Sequence, residues 1–204
     1  MANTDSPFGL RPHNKLGSAP NGNGLTPYKI QIPGVAGSSS AIFQGDMVIP
    51  LTNGLVDVSA ADGGSVAILG VMAGCQYTNL DGKPVFDNNY PGTASLKSGT
   101  EATVFVYDDP MQVYECQGDA SVTNLATATA LIHSNAEGAG FGSQTGSTGI
   151  SAGEISIASA GATTATDNFR IVGIKDVEGI DYASAGVVFL VKLNLPFHLD
   201  STGL

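Results

Sequence analysis

The sequence predicts an all-β protein: a β-sandwich or jelly-roll-like body of about ten short antiparallel strands, with an extended N-terminal arm. Three observations carry that expectation. Twenty-seven of the 204 residues are glycine, and glycine supplies the positive φ that tight turns between strands require. Charged residues make up only 13% of the chain, where an ordinary domain has about 25%, so the Glu, Lys, Gln and Arg of long surface helices are scarce. Short runs of β-branched and aromatic residues recur from residue 28 onward, bounded by Gly, Pro, Asn or Asp.

Residues 1–27 carry Pro7, Pro12, Pro20 and Pro27 with little periodicity. Proline fixes φ and removes a donor, so the segment reads as an extended arm that takes its order from a partner surface. The body spans residues 28–204. Tyr28–Ile32 alternates polar and apolar residues, Ala41–Phe43 and Met47–Leu51 flank a turn at Gln44-Gly45-Asp46, and Asn53-Gly54 predicts a type I′ hairpin into Leu55–Val58. Ala67–Tyr77 is a strand in which Gly70 and Gly74 mark bulges or close packing. Residues 78–100 read as loop. Glu101–Tyr107 is a strand, Asp108-Asp109-Pro110 a turn, and Met111–Cys116 its antiparallel return. Residues 121–134 fit a short helix or a strand, because frequent Ala and the threonines at 123, 127 and 129 pull in opposite directions. The Gly/Ser/Thr tract 138–153 has the composition of a flexible exposed loop. Glu154–Ile157, Phe169–Lys175 and Val187–Leu195 complete the strands. The last is apolar except Lys192 and Asn194, which predicts a central strand whose first half is buried on both faces.

The formal net charge is −10, and it is unevenly placed. Arg11, Lys15 and Lys29 stand against Asp5 in residues 1–45, whereas the rest of the chain has five basic and seventeen acidic residues. An acidic body is repelled by phosphates, so no nucleic-acid partner is expected. No run of eighteen apolar residues occurs, so no membrane partner is expected. The opening residues lack the pattern of a signal peptide, which points to synthesis in a reducing cytoplasm. Cys75 and Cys116 lie in apolar runs and are expected as buried free thiols.

A search for chemistry returns no catalytic, cofactor-binding or metal-ligating set. The glycines of residues 138–153 match neither phosphate-loop nor dinucleotide spacing. Asp108 and Asp109 could serve glycoside hydrolysis only if held about 5–10 Å apart across a sugar, and their neighbour Pro110 favours a turn. Asp176, Glu178 and Asp181 lack the regular order of a calcium loop. His13, His133 and His198 share no ligand spacing.

Three segments, in order and spacing, span nearly the whole chain. They are Ser6-Pro-Phe-Gly-Leu-Arg-Pro12, the Val106–Gln117 stretch around Asp108-Asp109-Pro110, and the closing pair Phe169–Gly173 and Val188–Asn194 with His198 beyond. Together they resemble structural proteins of tailed bacteriophages, of the capsid cement or decoration type; the 138–153 tract lies outside that pattern. The resemblance implies a non-enzymatic virion protein without cofactors, made in the host cytoplasm and placed on the capsid exterior. There it would contact the major capsid protein and copies of itself, as a dimer or trimer. Pro7, Phe8, Leu10 and Arg11 are the expected contact residues, with Phe8 and Leu10 as apolar anchors and Arg11 pairing a carboxylate. The alternative is a tail component or a glycan-binding adhesion module of the virion surface; the absence of Trp weakens the glycan-binding reading.

Overall fold

A computed structural model of the chain describes residues 3–17, 24–59, 66–175 and 178–199. In chain order its strands are β1 (Arg11–Lys15), β2 (Thr26–Gln31), β3 (Ile42–Phe43), β4 (Met47–Pro50), β5 (Val56–Val58), β6 (Gly70–Thr78), β7 (Pro84–Asp87) and β8 (Asn89–Tyr90). There follow β9 (Ala102–Tyr107), β10 (Gln112–Gln117), the helix α1 (Leu125–Ala130), β11 (Asn135–Ala136), β12 (Gly138–Ala139), β13 (Glu154–Ile155), β14 (Phe169–Ile174) and β15 (Val188–Leu193). The protein is all-β and sandwich-like, as expected.

Two sheets dominate. One has the order β1-β10-β15-β14-β11; the other runs β2-β9-β6-β4-β5, with β7 added to the far half of β6. Every strand pair in them is antiparallel. Tyr114, Cys116, Phe169, Ile171, Phe189 and Val191 of the first sheet pack with Met47 and Val71 of the second, and Leu10, Phe141 and Ile155 join the same core. A second core lies on the far side of the six-stranded sheet, where Ile30, Val48, Met72, Val104 and Val106 meet Ile42, Tyr90 and Leu96. That sheet is therefore apolar on both faces over part of its length.

The strand pair β14–β15 forms as expected, and β15 is central, between β10 and β14. Its burial alternates, however: Phe189, Val191 and Leu193 are buried while Val188, Leu190 and Lys192 are half-buried. Among the strands longer than two residues, the one buried at every position is β10. Asp108-Asp109-Pro110 is not a hairpin turn. β9 pairs with β2 and β6, whereas β10 pairs with β1 and β15, so the three residues carry the chain from one sheet to the other. The Asn53-Gly54 hairpin is present between β4 and β5, but Gly54 alone takes positive φ, at 78°. Leu51 accepts from Gly54 N–H and donates to Leu55 O, giving a three-residue loop instead of type I′.

Residues 78–100 are not all loop, since β7 returns along β6 and β8 pairs with β3. A bulge between Met72 and Gly74 interrupts the β6–β9 ladder, as the glycines suggested. At Gly70 an added Cβ would stand 2.3 Å from Tyr107 O, which explains the glycine by close packing. Helix wins over residues 125–130, capped by the Asn124 side chain accepting from Thr127 N–H.

Candidate docking surface at the N-terminal strand

The expected arm is built into the body. Arg11–Lys15 is an edge strand paired with β10, and the residues before it are tied down in succession. Asn3 Nδ2 donates to Asp181 O at 2.8 Å, Gln117 Nε2 to Thr4 O at 3.1 Å, Thr145 Oγ1 to Pro7 O at 2.6 Å, and Leu10 N–H to Gly45 O at 3.0 Å. Gly9 makes this course possible. Its φ is +66°, and a Cβ there would lie 2.6 Å from Ser151 Cβ and 2.7 Å from Gly45 O.

These contacts divide the four expected partner-binding residues. Leu10 is only 2% exposed and packs in this chain's own core, so it cannot anchor a neighbour. Pro7 and Phe8 are half-buried and Arg11 is exposed. The Arg11 guanidinium lies 4.2 Å from the Phe8 ring centroid, a cation–π geometry that holds both side chains together. They border a groove of about 360 Å³ whose lining includes Pro12, Gln44, Met72 and Tyr107.

The glycine-rich tract supports this surface and is not a loose loop. β12 pairs with β13, Phe141 is in the core, and Ser151 is fully buried. Asp46 organises it. That carboxylate, with no exposed surface, accepts from Phe43 N–H at 2.9 Å, Gly142 N–H at 3.1 Å and Ser151 Oγ at 2.5 Å. Burial pushes its pKa up, and the three neutral donors offset only part of that shift.

Glu115 on β10 is another buried carboxylate, 6% exposed. His13 Nδ1 lies 2.9 Å from its Oε1 and Lys175 Nζ 2.7 Å from its Oε2. Burial alone would raise its pKa, but the bonds to Lys175 and His13 hold it below the usual carboxylate range. This cluster clamps β1 and the end of β14 onto β10. Neither acid stands out in the sequence as a structural centre. The available signal was a carboxylate directly beside or within an apolar run, since such a group demands buried partners.

The remaining candidates have structural partners. Asp108 Oδ2 accepts from Tyr28 OH at 2.8 Å, with His198 Nε2 at 3.5 Å. Asp109 pairs with Lys15 and accepts from Met111 N–H, bonds that lower its pKa. The two adjacent acids therefore serve different neighbours. Asp181 accepts from Ala183 N–H and Ser184 Oγ, while Asp176 lies outside the described residues. Among the described residues no group of three His, Cys, Asp or Glu side chains is placed to hold a metal ion. Both cysteines are buried free thiols, as expected. No helix of the described residues is long and apolar enough to cross a membrane. No family model matches the chain, and no curated protein or solved structure matches it either.

Proposed function

We propose that this chain is a structural virion protein that binds the outer surface of a phage capsid and stabilises it by bridging major capsid subunits. The sequence resemblance is the source of this reading. The observation that best supports it is the Phe8–Arg11 pair, held on the rim of a groove by an N-terminal segment already ordered on its own body. A preordered segment loses little conformational entropy on docking, so a small contact can bind. Of the four expected contact residues, Phe8, Arg11 and Pro7 carry the role, and Leu10 supports them from inside.

A ligand that binds only the assembled shell lowers the free energy of that state by mass action. At a free concentration a hundredfold above Kd the gain is about 2.7 kcal/mol per site, and it repeats over every site. The test is genome release on heating of particles that lack the protein, before and after purified protein is added back. Added protein raises the release temperature, and Phe8→Ala/Arg11→Ala fails to do so. An unchanged release temperature with wild-type protein overturns the stabilising role; full rescue by the double variant overturns the contact assignment.

A further inference from the structure

The five-stranded sheet turns one face to the interlayer core and the other outward, and its register assigns the outward side chains. Lys192 stands opposite both Val113 and Arg170, and Leu190 stands opposite Glu115. Glu115 in turn stands opposite Arg11. Lys175 follows β14, with its N–H bonded to Val188 O, and its Nζ reaches Glu115 across the same face. Arg11, Arg170, Lys175 and Lys192 are thus four of the chain's eight Lys and Arg residues, gathered in a chain that has eighteen Asp and Glu.

Glu115 is the one carboxylate the paired strands turn to this face, and it is already engaged by Lys175 and His13. Among the described residues, Arg11, Arg170 and Lys192 form no ion pair. Arg11 lies on Phe8, and Arg170 donates to Asn135 Oδ1 at 3.2 Å. Arg170 and Arg11 are exposed, while Val172, Val188 and Leu190 form a half-buried aliphatic floor between the cations.

We propose that this face docks an extended acidic segment of a partner protein. The charge it lacks is negative, and the floor it offers is aliphatic. Arg170 and Lys192 stand directly opposite each other on β14 and β15, about 5 Å apart, and Arg11 lies on β1, two strands beyond β15. A partner segment that crosses the sheet with carboxylates at alternate positions, about 6.8 Å apart, and small apolar residues between them would bring successive acids to this row of cations. Single-stranded nucleic acid fits less well, because the floor has no aromatic ring on which bases could stack. A second copy fits less well too. It would bring a body of net charge −10 toward this one, whereas a short segment brings only the carboxylates that meet the face. This inference does not depend on the capsid reading.

The test is fluorescence anisotropy of the full chain with a labelled peptide of alternating Glu and Val, at about 0.1 M salt. Wild type binds, and Arg170→Glu/Lys192→Glu weakens binding by roughly tenfold or more. Arg170→Lys/Lys192→Arg retains it, as does Lys83→Glu/Lys97→Glu away from this face. Arg170→Gln/Lys192→Gln gives an intermediate loss and replaces the reversal if that variant fails to fold by circular dichroism. Absence of wild-type binding, or equal affinity in the reversal variant, overturns the proposal. An oligonucleotide of equal charge bound as tightly overturns the choice of an acidic protein segment. So does concentration-dependent sedimentation of the chain alone that the reversal abolishes.

Discussion

The two sheets are assembled by different routes. The six-stranded sheet draws all its strands from residues 26–107, and its β4–β5 and β6–β7 connections are local hairpins. The five-stranded sheet joins residues 11–15, 112–117, 135–136, 169–174 and 188–193, so β1 meets β10 across about half the chain. Long-range pairing must offset a larger closure entropy before it stabilises anything. The five-stranded sheet does so with buried anchors at its seams: Leu10 in the core beneath β1, Glu115 between His13 and Lys175, and Asp46 holding the glycine-rich tract. The exposed Phe86 on β7 marks the contrast. It is 71% exposed, and β7 has no comparable anchor.

The largest break in this contrast comes from Leu10. Leu10→Ala removes a buried side chain at the long-range seam and costs about 2–5 kcal/mol in urea unfolding. Phe86→Ala, on the local hairpin, changes stability by no more than about 0.5 kcal/mol. Equal effects would show that β1 is not built into the body as the packing indicates.

Asp46 and Glu115, buried at different seams, respond oppositely to pH. Asp46→Asn and Glu115→Gln each disturb a buried hydrogen-bonded acid and cost about 1–3 kcal/mol, with opposite pH trends. The folded-state pKa of Glu115 is lowered. Its contribution is complete above the unfolded value and lost as pH falls through the folded one, so the penalty of Glu115→Gln fades in acid. The folded-state pKa of Asp46 is raised. Its contribution is complete below the unfolded value and lost as pH rises through the folded one, so the penalty of Asp46→Asn is larger in acid and shrinks toward neutrality. Urea midpoints of both variants and wild type across acid and neutral pH measure the difference; parallel pH trends would contradict the assigned environments.

The smallest effect belongs to a local turn. Gly54→Ala places a Cβ at φ +78° in open space, and only the left-handed backbone cost of about 1 kcal/mol is expected. Guanidinium unfolding of that variant checks it, and a larger loss would mean that the turn organises more than its own hairpin.

Much of the fold was legible because its signals are local. Asn53-Gly54 marked a hairpin, and the alternation and closeness of Phe169–Lys175 and Val187–Leu195 marked an antiparallel pair. The candidate surface was legible only in part. Phe8 and Arg11 remain outward, but nothing in Ser6–Pro12 distinguishes the inward Leu10 from the half-exposed Phe8, because no regular period runs through that segment. Asp108-Asp109-Pro110 failed for a related reason. A turn composition reports that the chain changes direction and says nothing about whether the next strand returns to the same sheet.

The class of fold follows from composition and local pattern. The glycine content, low charge and short β-rich runs leave strands and turns as the regular structure that can bury this chain. Tertiary structure decided which strands pair, that the expected arm is an edge strand, that the glycine-rich tract packs around Asp46, and that four cations share one sheet face. Those outcomes depend on contacts between residues tens to more than a hundred positions apart. Composition and periodicity extend over only a few residues, so they could not carry that information.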